Sequence, residues 1–176
     1  MKLLAFTGRM GSGKSTAIKI LEKIQPRPIV TVKFAQPLYD IQEFAYKRIG
    51  SVYTRPDSFI KDRKLLQWLG TEWGREIVDK DIWVNIWKQA VKEYKDQDVL
   101  VVVDDVRFLN ECLATQEMGG MVILIQNRRH LKEGLKDHIS ESGVPLKNLD
   151  VVVQNEGTLE EFENELVKLV KILELV

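Results

Sequence analysis

The sequence predicts an α/β domain on a five-stranded, mainly parallel sheet with helices packed on both faces. Three observations predict it. Short aliphatic runs lack the polar alternation of a half-wet strand, helical stretches separate them, and a glycine-rich turn joins the first run to the first helix.

The opening run Leu3–Phe6 is the first strand, and residues 14–25 form a helix that Pro26 and Pro28 end. Ile29–Phe34 is the second strand and 36–48 a second helix. A long helical middle, 58–94, reads as two or three pieces, with Gly50 and Pro56 before it and Gly70 and Gly74 within it. Val99–Val103, Met121–Ile125 and Val151–Val153 are the remaining strands, with helices over 108–118 and 158–174. The polar run Asn127–Lys147 carries many charges and little apolar period. One domain is expected, with a core of 1–35, 95–126 and 148–176, a helical insertion over about 36–94 and a lid-like segment over about 127–147. Insertions at strand ends are where binding groups sit.

Composition narrows the classes. Lys plus Arg and Asp plus Glu both number 26 among 176 residues, so no whole-molecule field favours nucleic acid or an anionic membrane. No apolar run is long enough to span a bilayer, and Met1–Phe6 breaks at Gly8-Arg9 without the long core of a signal peptide. The expectation is a soluble, complete chain. The lone Cys112 has no disulfide or metal-spaced partner and reads as a small buried hydrophobe in a reducing cytosol.

Gly8-Arg9-Met10-Gly11-Ser12-Gly13-Lys14-Ser15 matches G-x-x-x-x-G-K-[ST] in the context that motif requires, after a strand and opening a helix. Such a loop turns backbone N–H groups onto phosphate oxygens, Lys14 reaches the β- and γ-phosphates of a nucleotide, and the Ser15 hydroxyl can ligate Mg²⁺. The strand Val99–Val103 ends in Asp104-Asp105-Val106-Arg107, suited to a second, water-mediated hold on Mg²⁺ or to substrate. Asp105 and Arg107 share a face if the strand continues. Strand ends also carry aspartate because loops begin there, and which aspartate serves is open.

Arg63, Gln67 and Thr71 recur every fourth residue on one helical stripe that Arg75 continues. A cation, an amide and a hydroxyl in line suit a nucleotide's phosphate and base edge, although a solvated helix face looks much the same. Trp68, Trp73, Trp83 and Trp87 read mostly as core, with one available to stack on a base. Arg128 and Arg129 fall in the lid-like segment, where arginine can stabilise charge on a moving phosphate, the plain alternative being an exposed charged loop. His130 and His138 have no metal-spaced partners.

These features together resemble the phage-type deoxynucleoside monophosphate kinases, within the P-loop nucleoside monophosphate kinase superfamily. The resemblance rests on Phe34–Leu38, Leu66–Glu72, Asp81–Val84, Asp105–Arg107, Asp137–Gly143 and Asn155–Glu161, and runs through nearly the whole chain. It implies the three-layer P-loop kinase fold, with 36–94 as substrate-binding insertion and 127–147 as lid. It further implies transfer of the ATP γ-phosphoryl to a deoxynucleoside monophosphate with Mg²⁺. By position, Gly11, Ser12, Gly13, Lys14, Ser15 and Thr16 would hold ATP phosphates, with Asn155 and Gly157 in the turn beside the adenine. Arg63, Gln67, Gly70, Thr71, Trp83, Asp105, Arg107, Glu111 and His138 would surround the acceptor. Lys14, Arg128 and Asp105 would be catalytic, and Ser15 and Asp105 would hold the metal.

Two positions depart from the family pattern. Tyr39 stands where relatives commonly carry Lys, which bears on substrate preference, and Ser15 replaces the acid that some phage members place after the loop lysine. The resemblance suggests a phage source, hence a host cytoplasm, and leaves a homodimer open. Competing readings are a P-loop kinase for another small phosphorylated acceptor, of the phosphomevalonate or dephospho-coenzyme A type, and a regulatory ATPase. The absence of an N-K-x-D tetrad argues against a GTPase switch. Zero net charge and the lack of a basic stripe weaken nucleic-acid phosphorylation.

Overall fold

The computed structural model describes residues 1–50, 61–127 and 144–172. Five strands, β1 (Lys2–Thr7), β2 (Ile29–Thr31), β3 (Leu100–Val103), β4 (Met121–Gln126) and β5 (Val151–Gln154), form one sheet in the order β2-β3-β1-β4-β5. Every pairing is parallel. The α-helices among the described residues are α1 (Lys14–Ile24), α2 (Gln36–Gly50), α3 (Arg63–Trp68), α4 (Ile82–Lys92), α5 (Leu109–Glu117) and α6 (Leu159–Ile172).

Alternation along β1 explains the three layers. Leu4 and Phe6 pack with α1 and α6, through Ala17, Leu21, Phe162 and Leu166. Leu3 and Ala5 point the other way, onto Val84, Trp87 and Val91 of α4 and Cys112 and Ala114 of α5. A strand buried on both faces needs apolar residues at successive positions, which is the pattern the sequence shows. Of the stretch expected outside the minimal core, α4 therefore lays three residues directly on the sheet.

Element ends have local causes. Gly13 opens α1 in the left-handed region at φ 109°, and Gln25, extended at ψ 145°, ends it because a residue before proline avoids the helical region. Expected to reach Phe34, β2 stops at Thr31. Val32 N–H still donates to Val102 O at 3.0 Å, after which the chain turns at Lys33, whose carbonyl accepts from Gln36 N–H. Thr158 and Glu161 form a reciprocal capping box at the start of α6: Glu161 N–H donates to the Thr158 hydroxyl and Glu161 Oε2 accepts from Thr158 N–H.

The helical middle departs most from a 3.6-residue period. Leu69–Val78 is a π-helix, closed by Asp79 N–H donating to Gly74 O. A Cβ on Gly74 would lie 2.5 Å from the Trp83 ring, so the glycine lets that indole press against the helix, and Trp83 Nε1–H donates to Gly70 O at 2.9 Å. Trp83 and Trp87 are core, as expected, whereas Trp68 is half exposed. Cys112 is buried, and burial with the Asp150 charge pushes its thiol up to about 11. No helix among the described residues is long and apolar enough to cross a membrane.

Candidate active site

The glycine-rich loop leaves the C-terminal end of the central strand β1, where ligands of open parallel sheets gather. Gly8, Gly11 and Gly13 all have positive φ, at 135°, 79° and 109°. A Cβ on Gly8 would stand 2.5 Å from Ile125 O, and one on Gly13 would collide with the Asn155 amide. The loop is thus pinned against β4 on one side and the β5–α6 turn on the other. Asn155 Nδ2–H donates to Ser12 O at 2.8 Å, so Asn155 clamps the loop, while Gly157 sits over Glu161 in the capping turn. Ser12 is buried, Thr16 half-buried and Ser15 exposed at the helix start.

Lys14 folds back over the loop, its Nζ donating to Gly8 O at 2.7 Å and Arg9 O at 2.8 Å. Burial and the neighbouring Arg107 charge hold its ammonium below the ordinary 10.5, with Asp104 opposing. Binding a polyphosphate restores the charged form, so binding takes up a proton where free Lys14 has lost one. ATP affinity should therefore fall as pH rises toward 10.5, earlier than for an unperturbed lysine, and isothermal titration across that range checks it.

Beside the loop opens a cavity of about 460 Å³. Met10 of the loop lines it, so the two sites are continuous. Arg63, Gln67, Gly70 and Thr71 line one wall, with Arg75 beyond them, and Trp83 lies beneath. Asp105, Arg107 and Glu111 face them from the β3–α5 connection. The expected stripe thus does turn to one cavity, although it spans an α-helix and a π-helix. Arg128, Arg129, His130 and His138 lie outside the described residues.

The two carboxylates in this cavity are engaged in building it. Asp105 accepts from Phe34 N–H at 3.1 Å and Ala35 N–H at 2.9 Å, so it holds the entry to α2 against the end of β3. Because β3 ends at Val103, Asp105 and Arg107 are loop residues and not alternating strand residues. Glu111 Oε2 accepts from Arg107 N–H at 2.7 Å and Phe108 N–H at 3.1 Å, and Oε1 pairs with Arg75 at 2.6 Å. Burial pushes both carboxyls up, against the pull of these N–H groups. Arg75 is held three ways: by Glu111, by the Phe108 ring 4.1 Å beneath its guanidinium, and by Lys80 O.

Some participants were not named as site residues. Phe34, Ala35 and Leu38 belong to a block that carries the resemblance, Phe108 lines the cavity with no motif, and Arg75 was legible only as the end of the stripe. At the rim, Lys61 Nζ donates to the Tyr39 hydroxyl at 2.7 Å and lies 4.6 Å from its ring. A cation therefore stands beside Tyr39 even though position 39 itself lacks one.

The residues present also suit Mg²⁺. That ion keeps several waters and takes one or two carboxylates plus substrate phosphates. Asp104 Oδ1 is buried with no hydrogen-bond partner, and the Ser15 hydroxyl is exposed at the start of α1. Among the described residues no group of three or more His, Cys, Asp or Glu side chains forms a protein-only metal cage.

Comparison with known proteins adds a second line of observation. The family description deoxynucleotide monophosphate kinase matches residues 40–166. The chain belongs to this family. The match begins after the glycine-rich loop, so loop and family are independent observations. Among deoxynucleotide monophosphate kinase relatives, the deoxynucleoside-5′-monophosphate kinase of Escherichia phage T5 is 34% identical over 68% of this chain and 47% of its own length. That of Escherichia phage RB69 is 32% identical over 62% and 44%. The chain thus spans about half the length of these curated relatives. A dephospho-CoA kinase from Campylobacter jejuni superposes with a TM-score of 0.58 over 98% of both chains at 19% identity, which shows the P-loop kinase fold.

Proposed function

We propose that the protein transfers the γ-phosphoryl group of ATP to the 5′-phosphate of a deoxynucleoside monophosphate, yielding the diphosphate and ADP. The observation that carries this reading is the charge arrangement of the acceptor cavity. Lys61, Arg63, Arg75 and Arg107 border it, while both oxygens of Asp105 and of Glu111 already accept hydrogen bonds or an ion pair. Among the described lining residues, no carboxylate is left to deprotonate a neutral hydroxyl acceptor. An anionic phosphate acceptor needs no such base; it needs neutralisation and alignment.

In this mechanism Gly11–Thr16 cradle the donor phosphates, and Lys14 exchanges the carbonyls of Gly8 and Arg9 for phosphate oxygens. Ser15 and Asp104, through its unpaired oxygen, would hold Mg²⁺, which would supply charge neutralisation on the donor phosphates. Asp105 is the alternative metal residue, but its committed oxygens make it a positioning group. Arg107 and Arg63 bind the acceptor phosphate, Gln67 and Thr71 meet its base or sugar, and Trp83 fixes the helix beneath. Arg128 and His138, expected to serve the transferring group and the acceptor, lie outside the described residues. A cytoplasmic setting fits the buried, unreactive Cys112.

The test is ADP formation from ATP and Mg²⁺ with dAMP, dCMP, dGMP, dTMP, the matching ribonucleotides and dephospho-coenzyme A, beside a control without acceptor. Stimulation by one or more deoxynucleotides is expected. Stimulation by dephospho-coenzyme A alone, or acceptor-independent hydrolysis alone, overturns the reading. In the same assay Arg107→Ala should raise acceptor KM or lower kcat by roughly 10²-fold, since a charge-assisted phosphate contact is lost. Unchanged kinetics would remove Arg107 from the site.

A further inference from the structure

The register of the sheet brings a second lysine to the place where donor and acceptor meet. Thr31 of β2 pairs with Val102 of β3, and two residues further on the same alignment sets Lys33 beside Asp104. Lys33 Nζ lies 3.2 Å from Asp104 Oδ2, with the lysine side chain about one-third exposed and the aspartate largely buried. Asp104 acts in turn on the Lys14 ammonium, and Lys33 on the Asp105 carboxylate. Lys33 precedes Phe34 and Ala35, which line the cavity, and its partner Asp104 precedes Asp105 and Arg107, which line it from the other side.

The lysine end of the pair is about one-third exposed, so its ammonium can turn from Asp104 toward a ligand without leaving water for the interior. Phosphoryl transfer to a phosphate brings two anions together, and a cation between them is worth far more in a partly dry cleft than in water. Resting on the kinase reading above, we propose that Lys33 is a further transfer-site cation, beside Lys14, Arg63 and Arg107, which leaves Asp104 to contact the acceptor 5′-phosphate as it attacks. The bond from γ-phosphorus to the bridging oxygen breaks as the acceptor oxygen bonds to phosphorus. The electron pair leaves on ADP, and Lys33 keeps its protons throughout.

Lys33→Met and Lys33→Arg separate this role from a structural one. Steady-state kinetics with the four deoxynucleoside monophosphates would be run beside calorimetric titration of the same acceptors in the absence of ATP and metal, and beside thermal melting. Expected for Lys33→Met are a fall of about 10²-fold in kcat/KM for the acceptor, weaker acceptor binding, ATP KM within about twofold of wild type and, although Asp104 loses its partner, a melting temperature that stays well above the assay temperature. Lys33→Arg should recover most of the loss. If wild type turns over while Lys33→Met matches it in acceptor kinetics and binding, this inference alone is overturned. A loss that tracks a lowered melting temperature and is not recovered by arginine also overturns it. No acceptor-stimulated turnover in wild type overturns the kinase reading and this inference together.

Discussion

Lys14→Ala should remain folded and lose ATP-dependent turnover by about 10³-fold or more. The lysine is half-buried and donates only to the carbonyls of Gly8 and Arg9, which water can reach once the side chain is gone. The glycine conformations that shape the loop, and the clamp from Asn155 to Ser12 O, do not depend on it. Lys14 is the loop cation whose ammonium already lies over the loop carbonyls, where the kinase reading places the donor phosphates. A coupled assay for ADP, read beside far-ultraviolet circular dichroism, checks both halves. Collapse of the dichroism would make Lys14 structural, and retained turnover would remove it from the chemistry.

The largest effect on stability is expected at Glu111. Its side chain is 4% exposed and that of its partner Arg75 14%, so Glu111→Ala would leave a guanidinium and two backbone N–H groups without their acceptor. Removing one member of such a pair costs about 3–5 kcal/mol, a large share of the roughly 5–15 kcal/mol that holds a domain of this kind folded. Urea unfolding should show the midpoint fall, with acceptor KM rising because Arg75 and the Arg107 backbone lose their anchor. Glu111→Gln keeps an oxygen for the N–H groups and should lose less.

The pH dependence of that pair follows from burial. Because burial raises the carboxyl in the folded protein, the native state binds more protons than the unfolded one between 4.5 and the raised value. That group's contribution to stability is complete below 4.5 and is lost as pH rises through the folded value. Glu111→Gln should flatten that part of the stability profile; an identical slope would show that the shift lies elsewhere.

Much of the sheet was legible because strands buried on both faces leave unbroken aliphatic runs, as in Leu100–Val103. The end of β2 was not, since Val32 still bonds to the sheet and only the turn at Lys33 stops the strand. Helical period served Arg63 and Gln67 well, but it carries no trace of the π-helix, which depends on Gly74 meeting Trp83 from a later helix. Trp68 counted as core by type and is half exposed, because side-chain hydrophobicity does not say which helix face turns inward. In the site, the loop glycines and Lys14 announce themselves by spacing. Glu111 was legible as a site residue, whereas its part as an anchor for Arg75 and two backbone groups is a tertiary fact. The contact of Lys33 with Asp104 is equally invisible without the strand register.

The strand order has a consequence for how this protein is made. Lys2 pairs with Leu100 and Leu4 with Met121, so β1 has neither neighbour until segments far downstream have been synthesised. Its apolar residues and the turn that follows must wait, during elongation at about 5–20 residues per second, for partners roughly a hundred positions downstream. Long-range parallel pairing of this kind slows folding and exposes aliphatic surface meanwhile. The glycine-rich loop therefore leaves the ribosome well ahead of the strands that fix it and acquires its shape only after they arrive.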